Sequence, residues 1–217
     1  MIETEAQAKA WLHQLVDGDA AAIERLERLA ALLVEENQQQ NLVSGASLPH
    51  VWQRHIVDSA QLLSHVPRET TPWLDLGTGA GFPGIVIAAL RPDCAVTMIE
   101  SRTKRIEWLE RLIEVLDLHQ ARVVGRRLEQ AEAFPACAIS ARAFAPLPQL
   151  LALSARFSTK DTIWLLPKGR SAAQELAELS GWSHMFHVEQ SLTDPSAGII
   201  VGTVTGRTTP RNKGKST

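Results

Sequence analysis

The chain has 217 residues, 45% of them hydrophobic, and its 22 Lys and Arg against 24 Asp and Glu leave a formal charge of −2. That length suits one large core, or one core with an appendage. The near-neutral balance lacks the basic signature of many nucleic-acid-binding domains, although the distribution of charge decides more than its sum.

Acids dominate the start: Glu3, Glu5, Asp17, Asp19, Glu24, Glu27, Glu35 and Glu36 face only Lys9, Arg25 and Arg28. Bases collect later, at Arg102, Lys104, Arg105, Arg111, Arg122, Arg126 and Arg127, and the tail adds Arg207, Arg211, Lys213 and Lys215. The central bases have two readings. They form a solvated helix face, since Glu107, Glu110 and Glu114 are interleaved, or they form an RNA-facing patch. Cys94 and Cys137 lie far apart and make no C-x-x-C pair, so they read as reduced, partly buried thiols of a cytoplasmic protein. The first residues show no basic start followed by an apolar stretch, and no run is apolar enough to span a bilayer. The expectation is a soluble, cytoplasmic protein.

From Thr4 to about His65 the pattern is helical. Ala21, Ile23, Leu26, Leu29, Leu32 and Leu33 recur at the three-to-four spacing of an amphipathic helix. Asn37 to Gly45 breaks that pattern. A further helix is expected near Ser47-Leu48-Pro49, with a capping serine and an early proline. After a connector over Pro67–Pro72, strands and helices alternate. Strands are expected at 73–76, 95–100, 121–125, 137–144 and 162–169. Helices are expected from Pro83, over 103–117, over 147–155 and over SAAQELAEL. Two later β-like runs, HMFHVEQSL and GIIVGTV, enclose a proline-containing turn and read as a hairpin. His184 and His187 fall on one expected strand with side chains on opposite faces, so packing or surface roles fit them better than metal ligation. The basic segment from 207 to 217 reads as disordered.

Such alternation implies a mainly parallel sheet covered on both faces. Its ligands bind beyond the carboxyl ends of the strands. That rule selects Gly77, Gly79 and Gly81 after the first strand, Glu100 ending the second, Arg142 near the end of the fourth and Lys168 after the fifth. The loop LDLGTGAGFPG (74–84) admits two readings. From Gly79 it matches the G-x-G-x-x-G of dinucleotide-binding proteins. From Asp75 it resembles the D-x-G-x-G-x-G loop of S-adenosylmethionine-dependent methyltransferases. Glu100 does not discriminate, because an acid there can accept from ribose hydroxyls of either cofactor. Asp75 weighs toward the second reading, since a carboxylate within an apolar strand is costly without partners. The alternative is that it caps amides of its own loop. The chain contains no Tyr, which closes the Tyr-x-x-x-Lys route of short-chain dehydrogenases. Pro83 also removes one amide that a pyrophosphate would use.

The ordered set NLVS (41–44), RHIVDS (54–59), LDLGTGAGFPG (74–84), RPDCAVTMIES (91–101), KRIEWL (104–109), RRLEQ (126–130), SARAFAPL (140–147) and PKG (167–169) resembles the bacterial 16S ribosomal RNA guanine-N7 methyltransferases, also called glucose-inhibited division protein B. The resemblance runs from about Asn41 to Gly169. It departs at Val43, where the family often has Thr, and at Glu100, where Asp is frequent. It implies an α/β fold of the class I S-adenosylmethionine-dependent methyltransferase type: a Rossmann-like, mainly parallel seven-stranded sheet with a C-terminal antiparallel hairpin, preceded by a small helical region. The domain reading is helices over 1–70, a methyltransferase domain over 71–206 and a basic tail over 207–217.

The implied cofactor is S-adenosyl-L-methionine. The family's contacts fall on Gly77, Phe82, Leu128, Glu129 and Arg142, beside the strand-end and loop residues Asp75, Gly79, Gly81 and Glu100. Arg142 and Lys168 are candidates for positioning RNA. Arg54, His55 and Asp58 read as substrate contacts or as docking residues. No metal site is expected, and no residue is required as an acid or base, because guanine N7 carries a free lone pair. The implied substrate is guanine 527 of 16S rRNA, within the small ribosomal subunit or an assembly intermediate, with the protein acting as a monomer. A methyltransferase for another RNA, a protein or a small molecule, a non-catalytic assembly factor and a nucleotide-dependent oxidoreductase are the alternatives.

Overall fold

The computed structural model describes residues 1–208. Helix α1 (Glu5–Leu15) starts at a capping box, in which the Thr4 hydroxyl accepts from the Gln7 amide and the Gln7 side chain accepts from the Thr4 amide. Helix α2 (Ala20–Glu36) is capped by Asp19 and buries Ile23, Leu26, Leu29 and Leu33 along one stripe. Asn37 Oδ1 then accepts from the amides of Leu42 and Val43, both at 2.9 Å, and turns the chain at NLVS.

The next helix differs from its expected form. Gly45–His50 is a 3-10 turn containing Pro49, Trp52–Val57 is a wide π-helical segment, α3 (Asp58–Ala60) is a single α turn, and Gln61–His65 closes as 3-10. Serine capping does not start it. Ser47 donates instead to the Ser44 carbonyl and pairs with the His55 ring. The amides of Trp52 and Gln53 are satisfied by the Glu5 carboxylate, at 3.0 and 2.9 Å. A side chain from α1 thus does what a local cap would have done.

Seven strands form one sheet: β1 (Trp73–Leu76), β2 (Val96–Glu100), β3 (Ala121–Gly125), β4 (Ala136–Ala141), β5 (Ser158–Gly169), β7 (His187–Gln190) and β8 (Gly198–Gly202). Their order is β3-β2-β1-β4-β5-β8-β7. The first five run parallel, and β8 is antiparallel to both β5 and β7. This is the arrangement the resemblance implies, and β7–β8 is the expected hairpin. Two strand ends differ from expectation. β4 stops at Ala141 because Ala143 takes a left-handed backbone, with φ at +51°. β5 begins four residues early, at Ser158.

A second, two-stranded sheet pairs β6 (Trp182–His184) with β9 (Val204–Arg207). His184 and His187 therefore do not share a strand. The chain leaves β6 at His184, whose ring stacks on Phe186, and enters β7 at His187. Arg207 is the last residue of β9 and lies over the Trp182 ring, so it belongs to the sheet rather than to the tail. The rest of the tail expectation, residues 209–217, lies outside the described residues.

Helices α4 (Gly84–Leu90) and α5 (Thr103–Val115) cover one face, and α6 (Leu147–Ser154) covers the other. The N-terminal helices are not a separately packed layer. Leu12, Leu26 and Leu33 belong to the same core as Trp73, Met98 and Leu109. Of the two thiols, Cys94 is buried, and burial raises its pKa, whereas Cys137 is exposed rather than partly buried. No helix among the described residues is long and apolar enough to cross a membrane.

Glu5→Ala removes the acceptors for two amides of the π-helical segment. It is expected to cost about 1–2 kcal/mol, read by urea unfolding, and to speed hydrogen exchange at Trp52 and Gln53 above all other sites.

Candidate functional site

β1 ends on a buried carboxylate. Asp75 is fully buried, and its two oxygens accept from the hydroxyl of Thr78, from Ser140 Oγ at 2.7 Å and from the Gly84 amide at 3.0 Å. One residue thereby ties the end of β1 to the loop, to β4 and to the first turn of α4. Burial raises its pKa to about 6, against the opposing pull of Thr78, Ser140, Gly84 and Arg142. Asp75 lines neither of the two spaces at the strand ends. Of the two readings of this residue, the geometry favours the loop cap.

The loop itself folds on left-handed glycines. Gly77 has φ +62° and Gly79 has φ +60°, conformations that cost a side-chain-bearing residue about 1–2 kcal/mol. Space is a second constraint. A methyl group at Gly77 would fall on the Phe144 ring, and one at Gly79 would meet the Arg105 guanidinium. The Gly79 amide donates to Glu100 Oε2 at 3.0 Å, while Glu100 Oε1 accepts from Ser101 and Arg102 at 2.7 and 2.9 Å. Three of the roughly four acceptor positions of this carboxylate are thus engaged. One remains for a ligand.

A cavity of about 240 Å³ opens over Gly77, floored by Ile99, Glu100 and Leu128 and rimmed by Arg102, Arg105, Arg126 and Arg127. Leu128 is held there by Arg156, which donates to its carbonyl. Its neighbour Glu129 is exposed and outside the cavity. Gly81 and Phe82 also lie behind the wall rather than on it. Gly81 packs on Ile85, and Phe82 is buried beneath His55 and Arg142. The central basic cluster divides accordingly. Arg111 pairs with Glu36, and Arg122 donates to Thr97 and lies over Phe134. The four arginines at the cavity mouth form no ion pair among the described residues.

A larger cleft, about 780 Å³, adjoins it at the ends of β4 and β5. Arg142 stands on its wall. Its guanidinium is 3.5 Å from Asp58, faces His55 Nδ1 at 3.4 Å and lies 5.1 Å above the Phe82 ring. Asp58 also accepts from Gln61 and from Thr193, so it joins the N-terminal helices and the segment after β7 to this arginine. His55 is neutral here. Burial, then Arg142 and Arg54, lower its pKa to about 3, and with Nδ1 accepting from Arg142 its Nε2 donates to Ser47.

Lys168 plays a different part from the one expected. Its ammonium donates to the Ala145 carbonyl at 2.7 Å and pairs with Glu175 at 2.9 Å, and Glu175 accepts from the Leu147 amide. With only 9% of its side chain exposed, Lys168 pins the loop after β4 and is not a free cation for phosphate. Among the described residues only Ala143 and Phe144 line both the cavity and the cleft. They stand in the motif SARAF, yet nothing local distinguishes them from Arg142 beside them. Among the described residues no group of three or more His, Cys, Asp or Glu is placed to hold a metal ion.

The chain as a whole is similar to known proteins. The profile of the family described as rRNA small subunit methyltransferase G matches residues 22–195. Among proteins named ribosomal RNA small subunit methyltransferase G, that of Novosphingobium aromaticivorans is 60% identical over 203 residues, covering 92% of this chain and 88% of its own. That of Erythrobacter litoralis is 59% identical, covering 93% and 97%. That of Sphingopyxis alaskensis is 46% identical, covering 100% and 92%. Among solved structures, a cofactor-bound protein of MTB superposes with a TM-score of 0.61 at 14% identity, covering 95% of this chain and all of that one. An O-methyltransferase from Bacillus cereus in complex with SAH gives 0.56 at 16% identity, covering 81% and 90%. These two likenesses show the fold.

The two perturbed groups make stability depend on pH with opposite signs. Between pH 6.5 and about 3 the unfolded chain binds a proton at His55 that the folded chain refuses, so stability falls as pH falls, by up to roughly 5 kcal/mol from this residue. Between 3.8 and about 6 the folded chain holds the extra proton, on Asp75, so this residue loses stability as pH rises. In denaturant titrations across pH, His55→Gln is expected to flatten the acid limb and Asp75→Asn to steepen it. At neutral pH Asp75→Asn should also cost about 1–3 kcal/mol, because an amide cannot accept from all three partners.

Proposed function

The chain belongs to the rRNA small subunit methyltransferase G family, and from that premise we propose that it methylates N7 of a single guanine, guanine 527, in 16S rRNA. S-adenosylmethionine, when bound, supplies a sulfonium methyl; the N7 lone pair forms the new bond, the pair of the broken bond stays on sulfur as a neutral thioether, and the purine carries the positive charge. The proposed site of action is the cytoplasm, on the small subunit or an assembly intermediate, with the protein as a monomer.

The cavity over Gly77 suits the nucleoside end of that cofactor. It offers an apolar floor in Ile99 and Leu128 and one free acceptor position on Glu100. Its mouth is a poor match for the cofactor's own charge. Four arginines are not needed for a molecule bearing a sulfonium, but they suit an RNA backbone passing across the opening.

The observation that supports N7 is the state of the bases in the cleft. Every titratable acceptor lining it is already engaged. His55 faces Arg142, and Asp58 accepts from Gln61 and Thr193. Asp194 is held below its ordinary range by Ser196. Burial alone would raise Glu175, but Lys168, Ser171 and the Leu147 amide bring it below its ordinary range. A nucleophile that must lose a proton needs a free base within reach. Guanine N7 has none to lose. The contribution of the chain is then alignment and a fixed electrostatic frame. In an A-form helix N7 lies in a deep, narrow groove, so the target base has to be presented from a loop or an open particle.

Labelled S-adenosylmethionine and small subunits from cells lacking this protein provide the test. One N7-methylguanine at position 527 is expected; label on another atom or nucleotide refutes the assignment. Arg142→Ala is expected to lower kcat/KM at least about tenfold while the circular dichroism spectrum is unchanged.

A further inference from the structure

We propose that Phe144 is the platform on which the acceptor purine stacks, and that its ring leaves Gly77 for the cleft when the donor occupies the small cavity. The inference rests on the reading just given and adds a residue that determines how the acceptor is held.

Phe144 stands on the boundary between the two spaces, with Ala143 as its only companion there. On the donor side its ring lies against Gly77, where a single added methyl group would collide with it. At about 240 Å³ the cavity is smaller than the ~300 Å³ at which ligand pockets begin. It holds part of an adenosyl amino acid, and the remainder has to pass Gly77. The ring occupies that passage and has to vacate it.

Where it goes is set by the chain on either side. Arg142 is fixed by Asp58, Ala145 by Lys168 and Leu147 by Glu175. Ala143 and Phe144 form the unpinned crest between these anchors. The crest is strained, since Ala143 sits at φ +51°, a conformation that non-glycine residues seldom keep without a compensating gain. Turning at this crest carries the ring away from Gly77 and into the cleft.

Apart from Phe144, the described residues of the cleft offer a base no free aromatic face. Its other apolar lining is aliphatic, including Val43, Pro146 and Ile199. The His55 ring already has Phe82 stacked on it. Among the described residues Phe144 is the only Phe, Tyr or Trp that reaches the cleft. A base–aromatic stack tolerates any base identity, but it strengthens when the base becomes cationic, as a purine does on gaining a methyl at N7.

The test compares Phe144→Leu, which keeps apolar volume, with Phe144→Tyr and Phe144→Trp, which keep a ring. Three quantities are measured: the dissociation constant for S-adenosylhomocysteine by calorimetry, the dissociation constant for unmethylated small subunits with S-adenosylhomocysteine present, and methyl-transfer kinetics. Leucine is expected to leave affinity for S-adenosylhomocysteine within about threefold and to weaken subunit binding and KM by about 5- to 150-fold, with both rings restoring them. If leucine changes only thermal stability or affinity for S-adenosylhomocysteine, and subunit binding and KM are as in the wild type, Phe144 is a plug over Gly77 and the platform is refuted. A wild-type protein that binds S-adenosylhomocysteine but transfers no methyl to subunits overturns the functional reading and the platform with it. Wild-type transfer with an unaffected leucine variant overturns the platform alone.

Discussion

The site depends on one buried carboxylate. Asp75 sits in an interior strand of the sheet, where an ionised group with no partners would be untenable. Ser140, Thr78 and Gly84 satisfy it, and each comes from a different element: β4, the loop and α4. The cost of burying the charge is thereby offset by hydrogen bonds that lock three segments at one point. The left-handed turns at Gly77 and Gly79 are held in that frame, and so is the distance from the loop to the end of β4. The small cavity is bounded by both, at Gly77 and at Ala143–Phe144, and the cleft by the second. The same residue carries a raised pKa because the solvation it lost is only partly replaced by these partners.

Asp58 does for the periphery what Asp75 does for the centre. It accepts from Gln61 in its own helix and from Thr193 after β7, and it faces Arg142 after β4. Three segments far apart in the chain converge there, so the N-terminal helices are part of the cleft wall and not an accessory to it. Arg142 is doubly constrained, by Asp58 at its charged end and by Phe82 beneath its plane. A neutral His55 completes the arrangement, since a second cation there would oppose Arg142 directly. On the opposite side Lys168 and Glu175 hold the same loop, leaving Ala143 and Phe144 as the segment free to turn.

Charge is distributed with a similar division. A formal charge of −2 gives no general attraction for RNA. Acids are spent on the N-terminal helices, while Arg102, Arg105, Arg126 and Arg127 ring the small cavity without ion-pair partners among the described residues. A cluster of this kind raises local affinity for a polyanion at the place where chemistry is proposed, and its effect is screened by salt. Inside the cleft the charges are instead paired, which removes free bases and leaves a fixed polar frame.

Much of this was legible in the residues themselves. Strand and helix alternation, the apolar stripe of α2 and the glycine loop are local patterns, and each corresponds to an observed element because periodicity and left-handed turns depend on near neighbours. The order RHIVDS, DLGTGAGFPG and SARAF was likewise enough to identify the family. What the sequence could not determine were partnerships made across distance. Glu5 capping Trp52, Asp75 turned inward on its own loop, Lys168 clamping Ala145, and His184 and His187 parted into two sheets are each decided by which segment arrives alongside. The same holds for Phe144 on Gly77. A side chain's type limits what it can bond or cover, but its partner is selected by packing among residues tens of positions away, and only the folded chain brings those together.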